Sequence, residues 1–128
     1  MSEQGSFGKS EKLQMVGLGL HIATGLDDWV TDDETVMLDQ TCPGINLITP
    51  DLPGPRQSLS ILVHNSVPDE YVQFVVLHEL REGEFIHVDE MSKAEAHNEA
   101  KKITDDEARR ELGRGFNAYK DWEHNVSI

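Results

Sequence analysis

Residues 58–82 change their hydrophobic period partway through, and that change fixes two neighbouring elements of different kind. In Ser58-Leu-Ser-Ile-Leu-Val-His64 the apolar Leu59, Ile61 and Val63 alternate with Ser58, Ser60 and His64, the two-residue period of a half-buried strand. Ser66-Val-Pro-Asp69 then offers a capping box with a proline in the first turn, which predicts a helix starting near Val67. Tyr71, Phe74, Val75 and His78 follow at i, i+3, i+4 and i+7, so the buried stripe of that helix runs into a histidine. Gly83 is its expected stop. With 128 residues in all, the chain has room for one domain around one modest core.

The flanking segments are less regular. Met1–Ser10 mixes glycine, serine and charge without a period, the composition of a mobile tail, which leaves 11–128 as the folded domain. Leu13, Val16, Leu20 and Ala23 fall at helical spacing within Leu13–Val30, although Gly17 and Gly19 would each cost about 1 kcal/mol in a helix interior. Asp27, Asp28, Asp32, Asp33, Glu34 and Asp39 crowd together without the alternating calcium-loop pattern, so they read as a solvated acidic turn. From Thr41 to Gln57, prolines and glycines surround one short apolar strand, Ile45–Ile48. A second capping box, Ser92-Lys-Ala-Glu95, opens an alanine-rich helix through Leu112, with a possible restart at Thr104-Asp-Asp-Glu107 and an end at Gly113 and Gly115. Phe116, Tyr119 and Trp122 form an apolar face expected to fold back on the core.

Charge and cysteine usage narrow the function. Eleven Lys and Arg against 24 Asp and Glu give a net charge of −13, which disfavours nucleic acid because phosphates must be met by cations. Most of the excess precedes Lys93. Cys42 is the single cysteine and cannot close an internal disulfide, so a cytoplasmic location is the default expectation. Neither a membrane-spanning run nor a signal-peptide pattern is visible. Nucleophile elbows are missing too, and Gly17-Leu-Gly19 lacks the third glycine of a dinucleotide loop because position 22 is Ile22.

The chemistry concentrates in His78-Glu79-Leu80-Arg81-Glu82. His78 and Glu82, four apart on a helix, leave the same face together as two ligand donors. Glu79 is offset by about 100° from His78, where it reaches a metal-activated water as general base without being a ligand. Glu82 continues the buried stripe, where an anion is costly unless a cation compensates it. A metal would do so, and so would Lys101, Lys102 or Arg109.

This segment resembles the His-Glu-x-x-His helix of the zincin-like metallopeptidases, with glutamate at the second ligand position. Ala94-Glu-Ala-His97-Asn-Glu-Ala100 resembles the stretch that follows such a helix in small phage and bacterial proteins of this type. The likeness covers roughly residues 58 to 108. It implies an α+β domain in which a small antiparallel sheet packs against the motif helix and the next helix. It also implies a peptide or protein substrate and a zinc ion or another divalent transition metal. The strand Ser58–His64 would wall the cleft, its free edge pairing with an extended peptide. His97 is the favoured third ligand and His87 the alternative; Asp105 or Glu107 is available as a further ligand or as an acceptor behind a histidine. Val88 occupies the position where metzincin-like proteins carry their third histidine. His21, His64 and His124 read as surface or strand-edge residues. A different class also fits: a non-catalytic interaction protein with a structural metal closed by four ligands, its acidic surface suited to a basic partner.

Overall fold

The strand expected at Ser58–His64 forms the middle of the sheet. The computed structural model describes residues 10–32, 36–51 and 53–128. In chain order these give α1 (Glu11–Met15), β1 (Leu18–Leu26), β2 (Trp29–Val30), β3 (Met37–Leu38), β4 (Gly44–Pro50) and β5 (Gln57–His64). Then come α2 (Asp69–His87), α3 (Lys93–Leu112), a single 3₁₀ turn (Gly113–Gly115) and α4 (Phe116–His124). The larger sheet has the order β1-β5-β4, and β2 pairs with β3 separately.

The α+β class holds, but the sheet is mixed where an antiparallel one was expected. β4 runs antiparallel to β5, with Asn46 opposite Ile61, while β1 runs parallel to it, with Leu20 opposite Leu59 and Ile22 opposite Ile61. Both sides of β5 are therefore occupied, so the expected free edge at Ser58–His64 does not exist. Among the described residues the sheet edges are β1 and β4.

Four local expectations change. The helix read over Leu13–Val30 is one short helix and then β1, because Leu18, Leu20 and Ile22 alternate onto the core face and Gly17 turns the chain at φ 77°. Ser10 belongs to the fold: its hydroxyl accepts from the Leu13 N–H and caps α1. The rest of the expected tail, like Asp33 and Glu34 of the acidic turn, lies outside the described residues. α2 starts at Asp69 with no side-chain cap, since the Ser66 hydroxyl is 2.9 Å from His64 Nδ1 instead. The helix at Thr104 does not restart; that hydroxyl is buried and donates to the Ala100 carbonyl at 2.8 Å.

Leu59, Ile61 and Val63 of β5 are fully buried beneath α2, against Phe74 and Val75. The apolar face of α4 packs against Tyr71 and Phe74 of α2. Tyr119 is buried with its ring centroid 5.1 Å from that of Tyr71 and 5.3 Å from that of Phe74. Such aromatic contacts add about 0.5–1.5 kcal/mol each beyond their burial. No helix among the described residues is long and apolar enough to cross a membrane.

Gly83 does not stop α2, which continues one turn further to His87. Its role is clearance: a Cβ there would lie 2.6 Å from Leu59 Cδ2 and 2.9 Å from Cδ1. Leu59 is fully buried and has nowhere to retreat. Gly83→Ala gains helix propensity of about 1 kcal/mol but should still destabilise the protein by roughly 1–2 kcal/mol through overpacking. Chemical denaturation checks this; a variant more stable than wild type contradicts the clearance role.

Candidate metal centre

α2 buries its motif because the apolar stripe that begins at Tyr71 continues through it. His78 is 3% exposed, and its Nε2 atom is buried with no hydrogen-bond partner among the described residues. An unpaired buried polar nitrogen costs about 1–3 kcal/mol and calls for an unseen water or ion. One helical turn on, Glu82 places Oε2 3.9 Å from that nitrogen. Across the interface His97 Nδ1 lies 3.1 Å from the same oxygen. One ligand atom from each of the three falls within 4.8 Å of the others, whereas donors on a tetrahedral zinc stand roughly 3.3–3.5 Å apart. The trio therefore has to draw in by about 1 Å to close on an ion of that size.

His97 reaches α2 because of how α3 begins. The Glu95 N–H donates to Ser92 Oγ at 3.2 Å, which starts the helix at Lys93 and fixes its rotation. Ala96 and Ala100 are fully buried, and the His97 and His78 ring centroids are 5.0 Å apart. Two alanines at the interface bring the helices close; the packing pair is Ala96 and Ala100, since Ala94 is exposed.

Among the described residues no lysine or arginine compensates Glu82. Lys101 Nζ is 3.4 Å from Glu123, Lys102 Nζ 3.1 Å from Glu99 and Arg109 3.2 Å from Asp106. Among the described residues the neighbours of Glu82 are the two histidines and Asn46, whose Nδ2 donates to Glu82 Oε1 at 2.9 Å and to Glu79 Oε1 at 2.6 Å. Asn46, on β4, escapes a reading of the sequence alone. Its one signal is a polar residue inside the apolar run Ile45–Ile48. β4 passes so close to α2 that a Cβ on Gly44 would meet Val75 Cγ1 at 2.5 Å and Glu79 Oε2 at 3.3 Å.

Protonation states suit a cation. Burial holds the His78 imidazole below its usual range, against the pull of the Glu82 charge, so at neutral pH the ring is neutral and free to ligate. Burial, then the Glu82 charge, pushes the Glu79 carboxyl up to about 8, opposed by the Asn46 hydrogen bond. A divalent cation a few ångströms away would lower that value again.

The remaining expected residues separate from the trio. His87 is the last residue of α2 and half-buried, outside the cluster. Asp105 accepts from Lys120 at 3.0 Å through both oxygens, and Glu107 bonds Arg110; neither backs a histidine. His21 and His124 are exposed as expected. His64 is buried, with Nε2 2.7 Å from Asp28 Oδ1, so it fastens the end of β5 and is not a surface residue. A cleft of about 830 Å³ opens over Glu79, Glu82, His97 and Asn46, with Met37, Ile45, Lys101 and Glu123 also on its walls.

The Glu79 value makes a pH-dependent prediction for the metal-free protein. Between about pH 4.5, where the unfolded carboxyl ionises, and about pH 8, the folded chain holds one more proton than the unfolded one. Stability therefore falls as pH rises through that window, by up to about 1.4 kcal/mol per pH unit. Glu79→Gln lacks this loss. Thermal midpoints should diverge in favour of the variant from about pH 5 to about pH 8 and run parallel above; a constant difference contradicts the assignment.

No protein-family model matches this chain, and neither a curated protein nor a solved structure matches it.

Proposed function

We propose that the protein is a metal-dependent hydrolase acting on peptide bonds, with His78, Glu82 and His97 as ligands and Glu79 as general base. One observation carries the reading: the buried His78 Nε2, without a hydrogen-bond partner among the described residues, faces Glu82 and His97, a nitrogen-nitrogen-oxygen donor set that suits zinc. A zinc or similar ion in that set supplies a Lewis acid and lowers the pKa of water to about 7. Glu79 takes the proton of the attacking water and returns it to the leaving amine. Asn46 holds both carboxylates through one amide group and so fixes the distance between base and ligand. The order of strand, His-Glu-x-x-Glu helix and capped second helix supports a zincin-like assignment as part of this proposal. β4, the edge strand beside the cleft, takes the place expected of Ser58–His64 as the strand that pairs with an extended substrate.

A closed structural site would need a fourth protein donor. None of His87, Asp105 or Glu107 joins the cluster, which among the described residues holds three. The test is a mixture of N-acetylated peptides incubated with zinc-loaded protein and analysed by mass spectrometry. Cleavage that a chelator abolishes and zinc restores supports the reading. Intact peptides in the presence of fully loaded protein count against it.

A further inference from the structure

The cleft also contains a cation whose hydrogen-bonding capacity is only partly spent. Lys101 sits one turn after His97 on α3, so both side chains leave the same face of the helix, and both line the cleft. Beneath it lies a buried carboxylate, Glu123, shared by two lysines. Lys120 is saturated there, donating to Glu123 Oε1 at 2.5 Å and to Asp105 Oδ1 and Oδ2 at 3.0 Å each. Among the described residues Lys101 has only a 3.4 Å ion pair with Glu123, and it remains 42% exposed. An ammonium has three donors, so Lys101 is anchored at one point with donors left over for the cleft. The lining of the same cleft also carries the apolar Met37, Ile45 and Val126.

We propose that Lys101 is a specificity-determining residue that pairs with a carboxylate of the substrate, selecting peptides that carry a free carboxylate beside an apolar side chain. The inference deepens the hydrolase reading and rests on it for the use of this cleft as a substrate site. Lys93, which also borders the cleft, has no ion-pair partner among the described residues and is exposed at the start of α3; it lacks the anchoring that Glu123 gives Lys101. With Lys120 still holding Glu123, replacing Lys101 leaves the buried carboxylate paired.

The test uses binding in metal-free protein, so a chain that takes no zinc would still report on Lys101. N-acetyl-L-leucine and N-acetyl-L-leucine amide are titrated separately into ¹⁵N-labelled protein and followed by amide chemical shifts. The acid should perturb residues around His97 and Lys101 and bind at least about tenfold more tightly than the amide. Lys101→Gln should lose that preference, Lys101→Arg should keep it, and Lys93→Gln should bind as wild type, each with an otherwise native spectrum. Equal binding of acid and amide by wild type, no binding of either, or an unchanged preference in Lys101→Gln overturns the proposal. If peptides are cleaved, Lys101→Gln should raise KM for substrates with a free carboxylate and leave their amides unaffected.

Discussion

Zinc should raise the thermal midpoint of the wild-type protein by about 10 °C at a free concentration about 100-fold above Kd, and His78→Ala should abolish that rise. Binding confined to the folded state adds about 2.7 kcal/mol under those conditions. The variant removes one of three donors and with it most of the affinity. Without metal the two proteins should differ much less. Wild type then carries the unpaired His78 Nε2, and its removal relieves a cost that offsets part of the cavity left behind. The contrast between the two buffers is the informative part. A packing histidine would destabilise equally with and without zinc, whereas a ligand widens the gap when zinc is present. Midpoints that ignore zinc and chelator in both proteins contradict the site.

Glu79→Gln separates the base from the ligands. The amide oxygen of glutamine still accepts from Asn46 Nδ2, which in wild type reaches Glu79 Oε1 at 2.6 Å, so the local geometry and zinc content should stay as they are. Turnover should nevertheless fall by roughly 10²-fold or more, because an amide cannot take the proton of the attacking water. Zinc content and initial rate measured on one preparation check both halves. A variant that binds zinc and cleaves at the wild-type rate removes Glu79 from the mechanism.

The parts of the fold that were legible are those where a single element declares its own environment. β5 and α2 carry opposite periods within 30 residues, and α3 is announced by Ser92 and Glu95, whose capping contact forms. Partners across the chain were not legible. β1 pairs parallel with β5 39 residues away in register up to Ala23, and nothing in Leu18–Leu26 encodes that choice. The helical spacing of Leu13, Val16, Leu20 and Ala23 competed with the alternation of Leu18, Leu20 and Ile22, and sheet pairing decided for the alternation. Gly83 misled because glycine has two uses, ending helices and admitting a neighbour; the Leu59 side chain required the second.

At the site, the two donors on α2 followed from four-residue spacing, and His97 followed from its place just inside a capped helix. Their convergence needed the close approach of two helices through Ala96 and Ala100. Asn46 reaches Glu79 across 33 residues of sequence, a contact set by the clearance at Gly44 and by no local pattern. Lys101 was visible only as a possible counter-ion for Glu82, because its real partner, Glu123, lies on α4.

The most direct measurement is the zinc content of protein purified without a nickel column, incubated with zinc and freed of excess metal by gel filtration. Wild type should retain about one equivalent, and His78→Ala, Glu82→Ala and His97→Ala should each retain less than about 0.2. Wild-type protein that holds less than about 0.2 equivalents, or three variants that hold as much as wild type, contradicts a centre built from these residues.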